Sequence, residues 1–171
     1  VISNSMNEDD VVVCAAGSLP GDMHKLWRSV NGDQYHMEYG YSCMGYEVAG
    51  GLGIKMAKDS GDVFVMVGDG SYLMMNSEIV TAVQENEKLI IILINNHGFG
   101  SINGLSLSLG SKGFGNQYRK REGSSSDYTG DKLPVDYAAH AKSMGIDSIT
   151  VKTKQRLEKA VAQARDNKGS T

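Results

Sequence analysis

Asp69, set between Gly68 and Gly70 and followed by Ser71, and Asn96, within the run Asn95-Asn96-His97-Gly98, place a carboxylate and a carboxamide at two glycine-punctuated points of the chain. Such groups suit a hard divalent cation. Magnesium takes near-octahedral oxygen ligands and commonly draws only one or two from protein side chains, with phosphates and water supplying others. Asp69, the Asn96 side chain and a backbone carbonyl such as that of Gly98 meet that need. Gly70 lets the backbone pass close to a phosphate, and the Gly70 and Ser71 amides can face it as a local anion nest. Taken singly, Asp-Gly is mostly a turn signal and Asn-Asn mostly loop punctuation. The pair gains meaning from the segment 71–94 between its members, which reads as one helix followed by one strand.

The surrounding pattern predicts how these residues are positioned. Val11-Val12-Val13-Cys14-Ala15-Ala16 gives a strand over 10–16, continuous in its apolar character as expected of a strand buried on both faces. After a turn over 17–21, a helix over 22–30, capped by Asp22, carries Met23, Leu26, Trp27 and Val30 on one face. A glycine-rich helix over 45–58 has Val48, Leu52 and Met56 at helical spacing. Strands follow over 63–67 and Leu89–Ile94, separated by a helix capped by Asn76 that runs to about residue 85, with Met74 and Met75 as core and helix-start residues. A helix over 134–144 closed by Gly145, a strand over 146–151 and a helix over Lys154–Asp166 with Leu157, Ala160, Val161 and Ala164 on its packing face complete the series. The alternation predicts an α/β fold: three layers, α/β/α, with right-handed crossovers and a central parallel sheet. The last helix should lead into another strand, so the fold reads as truncated before its final strand. In open parallel sheets ligands sit beyond the carboxyl ends of the strands. Gly17, Gly68-Asp69-Gly70 and Asn95-Asn96 each end a predicted strand there, so three segments converge on one edge.

A single domain over 1–171 fits this length. With 40% hydrophobic and 22% charged residues, neither disorder nor a fibrous class is favoured, and a net charge of −3 argues against a generic nucleic-acid surface. Cys14 and Cys43 form neither a disulfide framework nor a zinc spacing. No apolar run approaches the roughly 20 residues that span a bilayer, and no secretory leader pattern opens the chain, so a cytoplasmic protein is the expectation. The stretch 98–133 is a long Gly/Ser-rich loop of the kind that is usually functional or disordered. Within it Arg119-Lys120-Arg121-Glu122 reads as solvated charge, with phosphate or substrate contact as the alternative. His24 and His140 have no metal-ligand partner at helical spacing and read as structural.

Gly68-Asp69-Gly70 followed by Asn95-Asn96, with Gly98-Phe99 downstream and Ser42-Cys43-Met44-Gly45-Tyr46 upstream, resembles the signature of the diphosphate-binding domain in thiamine-diphosphate enzymes. The resemblance implies thiamine diphosphate and Mg2+ as cofactors, with Asp69, Asn96 and the Gly98 carbonyl on the metal and Gly68, Gly70 and Ser71 at the diphosphate. It implies that Met44, which alone would read as a buried apolar plug, wedges under a bent cofactor, while the Ser42 carbonyl and Met44 amide meet its aminopyrimidine. Gly17 and Ser18 align with the family's first diphosphate contact. The segments 15–22, 35–47 and 98–118 narrow the resemblance to an inositol-catabolic branch that hydrolyses a polyhydroxylated cyclic dione at a carbon–carbon bond, giving 5-deoxyglucuronic acid. His36, Glu38 and His97 are then candidates for substrate contact, each with a locally bonded side chain as the competing reading. In the family a glutamate from a separate pyrimidine-binding domain, of the same enzyme or a neighbouring subunit, activates the cofactor. None of Glu38, Glu47 and Glu78 takes that role, so the catalytic residue is expected outside this chain, the parent enzyme is expected to be an oligomer, and the chain alone is expected to have little turnover.

Three other readings remain open on the sequence. An acetolactate-synthase-like carboligase or decarboxylase would share the clamp. A nicotinamide-binding domain is suggested by Gly98-Phe99-Gly100-Ser101-Ile102-Asn103-Gly104, although its third glycine is one residue late for the dinucleotide fingerprint. A non-catalytic cofactor-binding module is the third.

Overall fold

The computed structural model describes residues 1–124 and 126–171; Ser125, inside the predicted long loop, lies outside the described residues. Four short strands, β1 (Val11–Cys14), β2 (Tyr35–Met37), β3 (Val63–Gly68) and β4 (Leu89–Ile94), form one sheet in the order β2-β1-β3-β4. All neighbours pair in parallel, with Val11 opposite Val63 and Val63 opposite Leu89. Val11 to Cys14 and Val63 to Val67 are buried throughout, because helices cover both faces. That is why these strands read as unbroken apolar runs rather than alternating ones.

On one face α3 (Tyr46–Ala57), α4 (Asp69–Met74), α5 (Glu78–Gln84) and α7 (Tyr137–Ser143) enclose a core of Val11, Val13, Val48, Leu52, Val63, Val65 and Ile79. On the other, α1 (Ile2–Ser5), α2 (Ser18–Leu26) and α8 (Lys154–Asp166) cover Val12, Cys14, Phe64, Met66 and Ile90. The three-layer α/β/α arrangement follows. Gly51 of α3 sits so close to β3 that a Cβ there would lie 2.5 Å from Val65 Cγ2, which explains a glycine inside a helix. No helix among the described residues is long and apolar enough to cross a membrane.

Several expected boundaries move, each for a visible reason. The predicted turn over 17–21 is the first turn of α2, whose N-cap is Gly17 rather than Asp22. Pro20 is compatible with that place because a first-turn amide has no intrahelical acceptor to lose. The helix therefore ends at Leu26, and Leu26 and Val30, expected on its packing face, are 75% and 72% exposed. Met56 is exposed as well, although Ile54 two residues earlier packs against the core. Asn76 does not cap α5: its Nδ2 donates back to the Tyr72 carbonyl, and Ser77 occupies the cap position. Met74 and Met75 are half exposed rather than core.

Within 98–133 a helix, α6 (Gly100–Ser108), forms without burying any residue. Lacking a buried face it lacks the periodicity that would reveal it. The predicted helix over 134–144 begins only at Tyr137, where the Asp136 carboxylate accepts from the Ala139 amide. Residues 146–151 form no strand. A groove of about 770 Å3 separates them from β4, and a backbone tie on that side runs from Asp147 N to the Ser170 carbonyl rather than to the sheet. Thr171 instead pairs with the β4 edge, donating to Leu89 O and accepting from Ile91 N. At the amino edge of the sheet Arg165 bridges the buried Asp10 and reaches Asp62, which Lys88 also meets at 3.1 Å.

Candidate functional site

The carboxyl ends of β1, β3 and β4 open on the opposite edge, and there the sequence-predicted residues collect. Gly68 ends β3 and is the N-cap of α4, so Asp69 emerges as that helix's first residue with its side chain fully buried. Its carboxylate accepts from the Gly98 amide at 2.9 Å, the Asn96 amide at 3.3 Å and the Tyr137 hydroxyl at 3.4 Å. The turn after β4 is thereby wrapped around the carboxylate. Gly98 adopts φ +137 and bridges antiparallel to Gln117, while Phe99 N donates to the Asn116 carbonyl and Tyr118 N to the His97 carbonyl, both at 2.8 Å.

The Asn96 carboxamide lies between two oxygens of this cluster. With its nitrogen turned inward it donates to the Gly98 carbonyl at 2.8 Å and to Asp69 Oδ1 at 3.1 Å. With its oxygen turned inward, a carboxylate, a carboxamide and a carbonyl oxygen converge on one another. Three oxygens so placed repel unless a cation lies among them, and the donor set is that of a hard metal. Among the described residues no group of three or more His, Cys, Asp or Glu side chains could hold a metal ion. Beside the oxygen cluster, a Cβ at Gly70 would lie 2.7 Å from the Phe99 ring and 3.2 Å from the Gly98 carbonyl oxygen, so the α4 start and the Gly98 turn approach as only glycine permits. These residues fit a magnesium-bridged diphosphate.

An aromatic layer that the sequence did not disclose backs the cluster. Tyr72 packs edge-on against Tyr137 and His140, and its hydroxyl meets His140 Nδ1 at 3.0 Å, which gives His140 the structural role expected for it. Burial, and then the Asp69 charge, push the phenols of Tyr118 and Tyr137 above their ordinary value. Both stay protonated at neutral pH, and Tyr137 is a donor to the carboxylate.

The second half of the site follows β2. Ser42 has φ +52 and is exposed, Met44 is half buried, and Gly45 at φ +93 is the N-cap of α3. Met75 lies over this turn: a Cβ at Gly45 would come within 2.5 Å of its Cγ. The Ser71 hydroxyl, two residues beyond Asp69, turns inward toward this turn, accepting from Gly45 N at 2.6 Å and donating to Glu47. Glu47, which the sequence reading set aside, is 1% exposed and belongs to the site's foundation. Its only sequence signal was a carboxylate in the first turn of a largely apolar, glycine-rich helix. Gly17, at φ +97, and Ser18 stand at the end of β1, with no atom within 4 Å of where a Gly17 Cβ would be.

Of the substrate-side candidates, His36 stacks on Tyr46 and its Nε2 is 2.8 Å from the Tyr46 hydroxyl. Glu38 accepts from Cys43 N at 2.8 Å and Tyr41 N at 3.1 Å. His97 has φ +64, and its amide donates to Asn95 Oδ1. In the basic cluster, Arg119 donates to Gln117 and the Gly130 carbonyl, and Arg121 lies over the Tyr128 ring. These guanidinium groups tie the loop to itself.

The amides of Cys43 and Tyr41 hold the Glu38 carboxyl below its ordinary value. A depressed carboxyl contributes fully above the unfolded value, near 4.5, and its contribution is lost as pH falls through the folded one. Hydrogen exchange at the Tyr41 and Cys43 amides, corrected for intrinsic rates, is therefore expected to accelerate relative to β3 between about pH 6 and about pH 3. Constant relative protection across that interval would contradict the capping role of Glu38.

Residues 15–171 match the family model described as thiamine pyrophosphate enzyme, C-terminal TPP binding domain. The 3D-(3,5/4)-trihydroxycyclohexane-1,2-dione hydrolase of Bacillus thuringiensis (strain Al Hakam) is 45% identical over 170 residues, covering 99% of this chain and 26% of the relative. A second such hydrolase, from Bacillus anthracis, is likewise 45% identical over 170 residues, 99% of this chain and again 26% of the relative. The chain thus spans about a quarter of the length of these curated relatives. Among solved structures, the Rhodococcus jostii RHA1 thiamine diphosphate-dependent 4-hydroxybenzoylformate decarboxylase superposes with a TM-score of 0.78 over 99% of this chain and 30% of its own. At 19% identity that likeness shows the fold alone. With the family match running over nearly the whole chain and the oxygen cluster at the strand ends, the chain belongs to the thiamine pyrophosphate enzymes, as their C-terminal TPP-binding domain.

Proposed function

We propose that this domain holds thiamine diphosphate through Mg2+, in an enzyme that hydrolyses 3D-(3,5/4)-trihydroxycyclohexane-1,2-dione at a carbon–carbon bond to give 5-deoxyglucuronic acid during myo-inositol degradation. The observation that carries the cofactor reading is the convergence of Asp69, the Asn96 carboxamide and the Gly98 carbonyl. The relatedness to the dione hydrolases supports the substrate.

In this reading Asp69, Asn96 and the Gly98 carbonyl hold the metal. Gly68, Gly70 and the Ser71 amide bear on the diphosphate, with Gly17 and Ser18 at its far side. Ser42 and Met44 orient the remaining ring, and Met44 supplies an apolar support for it. When bound, the cofactor supplies the electron sink that carbon–carbon cleavage needs. The protein's part is to orient it, keep water from the reacting centre until release, and present hydrogen bonds to a polyhydroxylated ring from His36, Glu38 and His97. The activating carboxylate comes from a pyrimidine-binding domain of the same enzyme or a neighbouring subunit, and since the family places its active sites between subunits, the working enzyme is an oligomer. The free thiols Cys14 and Cys43 accord with a reducing, cytoplasmic setting.

The test is an assay of the enzyme carrying this domain, loaded with thiamine diphosphate and Mg2+, on the cyclic dione and on pyruvate. Dione consumption with release of the open-chain acid is expected. Pyruvate consumption without dione cleavage would overturn the substrate assignment in favour of carboligation or decarboxylation.

A further inference from the structure

A buried carboxylate joins the two halves of the site without touching either ligand position. Glu47 is 1% exposed and Ser71 6%. Gly45 N donates to Ser71 Oγ at 2.6 Å and to Glu47 Oε2 at 3.0 Å. Ser71 Oγ in turn faces Glu47 Oε2 at 2.7 Å and Oε1 at 2.9 Å. The polarity is consistent around the knot: the amide donates to hydroxyl and carboxylate, and the hydroxyl donates to the carboxylate. A carboxylate so far from water is tolerated only when such donors are in place, and removing one leaves an uncompensated charge. Its place in the first turn of α3 adds the favourable end of that helix's dipole. The geometry therefore tolerates little slack between the two backbones it connects.

Those backbones are the ones a bridging ligand would touch. Gly45 follows Met44 directly, and Ser71 follows Asp69 by two residues. Fewer polar groups would serve a merely apolar contact between α3 and α4, and Met75 already covers Gly45 from the α4 side.

We infer that Glu47 is a positioning residue that, acting through Ser71, keeps the Met44 turn in register with the Asp69 clamp, so that one ligand can engage both. The inference rests on the cofactor reading above. Its consequence is selective: a ligand spanning both loops gains from the preset register, whereas one bound at the clamp alone does not.

Calorimetric titration of the protein with thiamine diphosphate and with inorganic pyrophosphate, each with Mg2+, separates the two. Glu47→Gln removes the charge that both donors address and turns an N–H donor toward one of them in place of an accepting oxygen, and thiamine diphosphate affinity is expected to fall by about 10-fold or more while pyrophosphate affinity stays within about twofold. Ser71→Ala, which keeps the direct bond between Gly45 and Glu47, is expected to weaken thiamine diphosphate more than pyrophosphate. It carries the test if Glu47→Gln fails to fold. The double variant should lose no more than Glu47→Gln alone, because the two residues act as one unit. Equal losses for both ligands, or none for thiamine diphosphate, would overturn the positioning role. An unsubstituted protein that binds neither ligand would overturn the cofactor reading itself, and this inference with it.

Discussion

Replacing Asp69 with alanine is expected to abolish measurable Mg2+-dependent binding of thiamine diphosphate, a loss of at least about 100-fold, and to destabilise the fold by about 3 kcal/mol. Both effects come from one carboxylate. It is the charged member of the oxygen cluster, and it also accepts from Asn96 N, Gly98 N and the Tyr137 hydroxyl in a fully buried position. Alanine removes the proposed metal ligand and leaves those donors without acceptors, each costing about 1–3 kcal/mol if water cannot replace the carboxylate. Asp69→Asn divides the two roles. It keeps an acceptor for the Gly98 turn, so stability should recover to within about 1 kcal/mol of the parent, whereas the missing charge should leave metal binding impaired. Calorimetry and urea unfolding measure both quantities. Unimpaired cofactor affinity in Asp69→Ala would remove the proposed metal ligand.

Gly98→Ala is the second large effect, and it acts through the backbone. A Cβ at this residue would run into the Asn116 carbonyl oxygen and come within 2.9 Å of Gln117 Cα, at a φ of +137 that side chains rarely adopt. Neither neighbour is the free end of a flexible side chain, so the bridge between Gly98 and Gln117 has to open. Left-handed strain and overpacking together are expected to cost about 3 kcal/mol in urea unfolding. The Gly98 carbonyl, displaced from Asp69 and Asn96, should take cofactor affinity down with it. Gly104→Ala, where a Cβ meets nothing within 4 Å and φ is not positive, is the matched control and should leave both nearly unchanged. A stable, cofactor-binding Gly98→Ala would show that the turn is not held as described.

How much of this was legible in the sequence depended on where each signal resides. The strands β1, β3 and β4 were plain because burial on both faces turns a parallel strand into an apolar run, and Leu89–Ile94 and Lys154–Asp166 keep their expected limits. Asp69, Asn96 and Gly98 were legible because glycine and carboxamide punctuation falls at strand ends, where such a sheet presents its ligands. The short β2 was hidden in the polar, aromatic segment 35–47, since an edge strand of three half-buried residues has no run to display. The helix α6 was invisible for want of a buried face. The strand predicted over 146–151 had the right composition, but a strand is made by its ladder, and composition cannot supply a partner. Glu47 and Tyr137 reach the site across 24 and 68 positions of chain, distances over which no local spacing informs.

The ion cluster at the amino edge bears on the order in which the molecule assembles. Arg165 and Asp10 are 155 positions apart, and Asp62 and Lys88 come from the leads into two further strands. Closing so long a loop is productive only after the intervening βα units have brought its ends together, so the Arg165–Asp10 contact is expected to form after the nucleus, unlike Asp62–Lys88 between the paired strands β3 and β4. Its contribution is then felt mainly in the rate of unfolding. The Arg165–Asp10 pair thus acts as a latch on the lifetime of the folded state, while the Asp69–Gly98 turn on the opposite edge closes within one βα unit.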